Sequence, residues 1–196
     1  STVEGRPVDE AAAGKLVAAA AEPGGLDIVA AASGFSVVKP IIEMTPDEFA
    51  GVMDANVRQT WLLSRAAAKR FVEQGRGGKM ILISSVRGQF AAPGGTSAYG
   101  TSKAAINLLT RSLAVELGPH GVCVNAIAPT VFRSELTAWL FEDRNEKARA
   151  KVLQRIPLGR LGEPDDFTGI FMFLASRASD FLTGEIINVD GGFSAN

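Results

Sequence analysis

The chain has 196 residues, a length for one domain and too short for two large ones. Apolar residues make up 46 % and charged residues 21 %, the balance of a globular protein with a sizeable core. The 20 Lys and Arg against 21 Asp and Glu leave no basic field for nucleic acid, and no run is long enough to span a membrane. A single cysteine, Cys123, excludes an internal disulfide framework and suits a reducing compartment. Ser1 to Pro7 leads into acidic Asp9-Glu10 rather than an apolar leader, and a cytoplasmic protein is expected.

Ser1 to Val8 is short and ambiguous. Asp9 to Ala21 reads as a helix, with Asp9 as a candidate cap and Pro23-Gly24-Gly25 as the stop. Leu26 to Ala32 is an apolar run that predicts a strand buried on both faces, although its alanines weaken that preference. Phe35 to Met44 reads as a loop broken by Pro40. Thr45-Pro46-Asp47-Glu48 is a helix start, with Thr at the N-cap, Pro at N1 and Glu at N3. That helix runs, with room for a bend, to about Glu73 and ends at Gly75-Arg76-Gly77-Gly78.

Lys79 to Ser84 predicts a second buried strand, and Val86 to Thr96 a loop. Ser97 to Leu117 has helical apolar spacing and closes at Gly118-Pro119. Gly121 to Ala128 predicts a third strand, ended by Pro129. Ser134 to Arg155 reads as a ragged helix, Pro157 to Pro164 as a loop, Asp165 to Ala175 as an apolar helix, and Gly184 to Val189 as a last strand. Strands alternating with helices of crossover length predict the α/β class with a parallel sheet. In such sheets ligands bind outside the carboxyl ends of the strands. Ser33-Gly34, Ser85 and Pro129-Thr130 fall at such ends, and Tyr99 enters the same crevice from the following helix.

Tyr99 and Lys103 are four apart and share a helix face. A cation beside a phenol favours the phenolate, so Tyr99 is a candidate proton donor or acceptor. A hydroxyl from Ser84 or Ser85 could hold a substrate oxygen. Taken alone, the pair also fits an ordinary surface helix. With one His and one Cys no zinc site can be assembled. His120 reads as a turn residue and Cys123 as inert core. Arg87 and Arg133 stand where they could meet an anionic substrate, or as solvated loop residues.

Several segments in fixed order resemble the short-chain dehydrogenase/reductase family over nearly all of the chain. They are Leu26 to Val29, Asp54 to Val57, Ile81 to Ser85, Tyr99 to Lys103, Val124 to Pro129, Ile156 to Pro164, and Leu182-Thr183-Gly184 through Asp190-Gly191-Gly192. The resemblance implies a Rossmann-like, doubly wound parallel sheet in three α/β/α layers, with residues 1–196 in a single domain. It implies NAD or NADP as cofactor and a small-molecule carbonyl or secondary alcohol as substrate, such as a 3-oxoacyl thioester, a sugar acid or a cyclic ketone. It also implies a homotetramer, with a dimer as second choice, assembled through helices at Ala55–Glu73 and Ser97–Leu117.

By the same resemblance the catalytic residues are Asn56, Ser85, Tyr99 and Lys103. Tyr99 is the general acid or base, and Ser85 holds the reacting oxygen. Lys103 lowers the Tyr99 pKa and binds the nicotinamide ribose, and Asn56 holds a water linking Lys103 to solvent. Cofactor contacts fall on Gly34, Tyr99, Lys103, Pro129, Phe132 and Ser134. Trp139-Leu140-Phe141 correspond to a mobile substrate lid, or to ordinary packing, and Asp9 to an adenine contact, or to a helix cap.

The sequence departs from the family in three places. Ser85 precedes Tyr99 by fourteen residues, one more than usual. Ala31-Ala32-Ser33-Gly34 replaces Asn-Asn-Ala-Gly, and Thr130 and Ser134 replace a Gly and a Thr. The family's opening strand, Gly-rich turn, helix and second strand have no counterpart in these residues, so the resemblance implies a longer polypeptide; without them the residue choosing NAD or NADP is not given. A non-catalytic binding or scaffold protein on the same fold is the alternative reading.

Overall fold

The computed structural model describes residues 4–22 and 24–195, with the Leu136 side chain left aside. The stop expected at Pro23 and the first three residues lie outside the described set. Helix α1 (Glu10–Ala21) begins at Asp9, whose Oδ1 accepts the Ala12 N–H at 2.7 Å. Asp9 is therefore a helix cap. The Gly24 and Gly25 N–H groups both return to the Ala21 carbonyl and close the helix.

Strand β1 (Ile28–Ala31) is shorter than the apolar run that announces it. Leu26 is held outside the ladder by the Gln74 amide, which accepts its N–H at 3.0 Å and donates to its carbonyl at 2.5 Å. Helix α2 (Pro46–Met53) opens on the expected capping box: Thr45 Oγ1 accepts the Glu48 N–H at 3.2 Å, and Glu48 Oε2 accepts the Thr45 N–H at 2.9 Å. The bend in this stretch is a five-residue π segment, Asp54–Arg58, before α3 (Gln59–Gln74). Gly75 ends α3 in the left-handed conformation, at φ 67°.

Strand β2 (Gly78–Ile83), helix α4 (Ser97–Leu117) and strand β3 (Val122–Pro129) follow within two residues of expectation. The ragged stretch after Ser134 is not one helix. It divides into a 3₁₀ segment, Glu135–Phe141, a short 3₁₀ turn, Asp143–Asn145, and α5 (Glu146–Leu153). Glu142 between them is extended, and the Asn145 amide donates to the Trp139 carbonyl at 2.6 Å in place of a helical bond. Helix α6 (Pro164–Ala175) and strand β4 (Ile186–Val189) complete the order.

The four strands form one parallel sheet in the order β1-β2-β3-β4. Alternate residues face opposite layers, as a strand of period two requires. Met80, Leu82, Val124 and Ala126 pack with Phe71 of α3 and Ile106, Leu113 and Leu117 of α4. Ile81 and Ile127 pack with Leu174 of α6, joined by Ile170 and Phe171. This is the three-layer α/β architecture expected from the alternation of elements. Burial on both faces explains why β2 and β3 read as continuous apolar runs.

Candidate active site

All four strands run the same way, so Ala31, Ile83, Pro129 and Val189 end at one edge of the sheet. A cleft of about 750 Å³ opens there, lined among others by Gly34, Ser84, Tyr99, Lys103, Phe132 and Ser134. Of the residues expected to converge there, Gly34, Tyr99, Pro129 and Thr130 line the cleft, whereas Ser33 and Ser85 do not.

Ser84 and Ser85 follow β2 directly. Ser84 is buried and donates to Asn107 Oδ1 at 2.5 Å and to the Lys103 carbonyl at 3.2 Å. Asn107 Nδ2 reaches the Gly88 carbonyl at 3.2 Å. The serine turn is thereby clamped onto α4, the helix that carries Tyr99. A Cβ added at Gly88 would lie 2.7 Å from the Lys103 carbonyl carbon, so only glycine permits this approach. Ser85 starts the next turn, accepting the Arg87 N–H at 3.2 Å, and its hydroxyl reaches the Pro129 carbonyl at 3.4 Å. In the loop before α4, the Gly95 carbonyl accepts the Lys39 N–H at 3.0 Å.

The Tyr99 phenol is pushed above its ordinary value by burial. The nearby Ser85 hydroxyl and the Arg87 charge pull the other way. Lys103 is not among the groups that lower it. Its Nζ sits 5.8 Å from the Tyr99 ring centroid and donates to the Ile83 carbonyl at 2.8 Å. Burial also pulls the Lys103 ammonium down to about 8. The expected Lys103-to-Tyr99 depression is therefore not found; burial dominates at both groups.

Asn56 lies in the π segment and is buried. Its Oδ1 accepts the Phe35 N–H at 2.7 Å, and its Nδ2 donates to the Phe35 carbonyl at 2.9 Å and to Ser102 Oγ at 2.8 Å. Ser102 donates to the Tyr99 carbonyl at 2.7 Å. Both Nδ2 protons are spent on these partners, while Oδ1 keeps one acceptor lone pair. A π segment widens the turn and is a recurrent feature of functional sites. Sequence reasoning missed Ser102 and Asn107. The signal for Asn107 was a polar stripe, Tyr99-Lys103-Asn107 at steps of four; Ser102 lies off that stripe.

On the far wall, Phe132 pairs with Gly162 in an isolated parallel bridge. A Cβ at Gly162 would lie 2.7 Å from the Phe132 ring, which packs edge-on against Phe167 at 6.1 Å. Thr137 Oγ1 donates to the Phe132 carbonyl, and the Ser134 and Thr137 hydroxyls are 3.0 Å apart. With the Thr137 proton used on Phe132, Ser134 donates to Thr137 and keeps an acceptor lone pair. Arg133 pairs with Glu163 at 3.1 Å and stacks on Phe141 at 3.9 Å. Leu140 is buried, whereas Trp139 is 51 % exposed, so the Trp139-Leu140-Phe141 trio divides between packing and surface. His120 is an exposed turn residue. Cys123 is half-buried rather than full core, its thiol donating to the Asp180 carbonyl at 3.6 Å.

Gly34 tests whether the cleft suits a nicotinamide cofactor. A Cβ there would stand 3.8 Å from both Asn56 Oδ1 and Lys103 Nζ, an ordinary contact. Nothing inside the fold demands a glycine, so the bare backbone is free for a bound group. The Lys103 ammonium has donors beyond the one used on Ile83. These residues fit a nicotinamide and its ribose.

Comparison with known proteins decides the family. A family model described as enoyl-(acyl carrier protein) reductase matches residues 8–194. An uncharacterized oxidoreductase of Mycobacterium tuberculosis is 49 % identical over 193 residues, covering 97 % of this chain and 72 % of that protein. The chain belongs to the short-chain dehydrogenase/reductase family. A 3alpha-hydroxysteroid dehydrogenase of Mediterraneibacter gnavus is 41 % identical over 170 residues, 87 % of this chain and 66 % of that one. A short-chain type dehydrogenase/reductase from Mycobacterium marinum superposes with a TM-score of 0.91 at 35 % identity, covering 99 % of this chain and 75 % of its own. A gluconate 5-dehydrogenase from Burkholderia cenocepacia, solved with NADP and tartrate, gives 0.89 at 27 % identity over 98 % and 74 %. This dehydrogenase/reductase is an NAD(P)-dependent oxidoreductase of carbonyl and alcohol groups.

Proposed function

We propose that Tyr99 is the proton-transfer group of a reaction interconverting a carbonyl and a secondary alcohol. The observation that carries this is the half-buried Tyr99 lining, together with Lys103, the cleft at the carboxyl edge of the sheet. NAD or NADP, when bound, supplies or accepts the hydride. In reduction the Tyr99 O–H gives its proton to the substrate oxygen; in oxidation the phenolate takes it back. Ser85 holds that oxygen in place. A tyrosine with a raised pKa keeps its proton near neutral pH, so little phenolate is present to act as the base. Oxidation therefore needs a change at the phenol, and a shift of Lys103 from the Ile83 carbonyl toward Tyr99 would supply it.

Lys103 binds the ribose hydroxyls, with Gly34 giving the backbone room. Ser134 would offer its lone pair to the carboxamide nitrogen, and main-chain groups at Pro129 and Phe132 would help to hold the nicotinamide. Asn56 supports the site in two ways: its side chain locks the Phe35 loop to α4, and its widened turn offers a carbonyl to a water that reaches Lys103. Replacing Tyr99 by Phe tests the reading. The expected result is loss of turnover with cofactor affinity and thermal unfolding unchanged; near wild-type turnover would remove Tyr99 from the chemistry.

Residues 1–196 form one domain in this reading, since one sheet organises the cores on both its faces. Outer residues of α3 and α4 support a homotetramer, with a dimer second. Among the described residues no helix is long and apolar enough to cross a membrane, and the single cysteine supports a place in the cytoplasm.

A further inference from the structure

A second group of side chains stands beside Tyr99, and the proton transfer does not use it. The Arg87 guanidinium lies 5.1 Å from the Phe193 ring centroid, and that of Arg155 lies 4.3 Å from the same centroid. Phe193 is buried among Val86, Leu140 and Ile156, so the ring is a fixed platform. Phe90 packs edge-on against it at 6.5 Å. Two cations thus gather at one aromatic ring.

Their surroundings do not neutralise them. Arg133 and Arg160, the other arginines near the cleft, are paired with Glu163 and Asp166. Arg87 and Arg155 form no ion pair among the described residues. The nearby Asp190 carboxylate is occupied by the Gly192 and Ser194 N–H groups, at 3.0 and 2.8 Å. Arg87 keeps one hydrogen bond, to the Ala91 carbonyl at 3.4 Å. Burial and the Arg155 charge both pull its pKa down, and the charge acting in the other direction is Tyr99. Like charges held together without a counterion are unfavourable, and an anion between them relieves both.

We propose that Arg87 and Arg155, gathered at the Phe193 ring, bind the carboxylate of an anionic substrate whose carbonyl or alcohol carbon is presented to Tyr99. The substrate class is therefore a hydroxycarboxylate or its oxo form. Guanidinium groups suit this role because their planar donor fork matches a carboxylate. The inference deepens the proposed reaction and rests on it for the position of the reacting carbon.

The test compares C4 to C6 hydroxycarboxylates with their methyl esters, using the full natural polypeptide. The acid is expected to exceed its ester in kcat/KM by about 10- to 100-fold, the range for hydrogen bonds to a charged group. Arg155 is exposed, so R155Q should fold; it should bring that ratio close to one, mainly through KM, and R155K should restore part of it. An equal ratio in wild type and R155Q, or a preference for esters, overturns the inference. Thermal shift with malonate gives an arm independent of turnover: malonate should raise the unfolding temperature of wild type and not of R155Q. No malonate effect on wild type overturns the inference. Malonate binding without turnover of acid or ester overturns the dehydrogenase reading while leaving the anion site standing.

Discussion

At the scale of single residues, the site is defined by two desolvated groups whose pKa values move apart. Tyr99 is raised and Lys103 falls to about 8, both chiefly by desolvation. Tyr99 is the only tyrosine of this sequence, so phenolate absorbance reports it alone. In the cofactor-free protein the titration midpoint should lie above the free phenol value of about 10, and Arg87→Gln should raise it further by removing a charge that favours the phenolate. A midpoint below the free value would contradict the desolvated site. Lys103 gives a prediction of stability. Its folded pKa lies below the unfolded one, so between about pH 8 and pH 10 the unfolded chain holds more protons here, and this group makes folding more favourable as pH rises. Above pH 10 the raised Tyr99 reverses the sign, because the folded state then keeps the phenol proton. Denaturant unfolding of Lys103→Met should therefore lose the upward slope between pH 8 and 10; an unchanged slope would assign it to other groups. The residue types of this site were legible as Tyr99, Lys103 and Ser85. Their ionisation was not, because burial is set by elements far apart in the chain.

At the scale of elements, the site depends on how the β2 turn meets α4. Ser84, Asn107 and Gly88 fasten that turn to the helix, so Ser85 and Tyr99 face each other without adjacency in sequence. A methyl group at Gly88 would press on the Lys103 main chain from 2.7 Å. Gly88→Ala should cost about 1–3 kcal/mol by overpacking. It should lower kcat more than cofactor affinity, since it displaces Ser85 before the cofactor cleft. Equal stability and kcat in this variant would show that the turn is not held by this contact. Helix starts were the most legible features, because Thr45 and Glu48 cap within four residues of chain. The π segment was visible only as room for a bend, and the stretch after Ser134 looked like one helix. Its true division depends on Glu142 and Asn145, whose bonds to Trp139 leave no periodic trace.

At the scale of the whole molecule, the parallel sheet was legible because β2 and β3 are buried on both faces and carry no alternation. What surrounds the molecule was less so. Trp61 and Val72 on α3 and Leu108 and Val115 on α4 are exposed, the last two at 65 and 79 %. Between these helices runs a groove of about 540 Å³, bordered by Arg65 and Lys69 as well as Glu73 and Glu116. A twofold axis across this face would bring a patch with both charge signs against its own copy, as an isologous interface requires. Met172, Phe173 and Phe181 form a second exposed apolar group, in and after α6. Patches of this kind mark association surfaces, and two separate ones allow two twofold axes and hence four subunits. Val115→Glu should break the α4 contact and leave a dimer joined through the α6 face, while Phe173→Glu should leave a dimer joined through α3 and α4. Light scattering of the two variants reads these masses directly. The active-site cleft opens at the strand ends and none of these exposed residues lines it, so each dimer should keep the Tyr99 chemistry. A monomeric wild type would refute the assembly and leave the site unchanged.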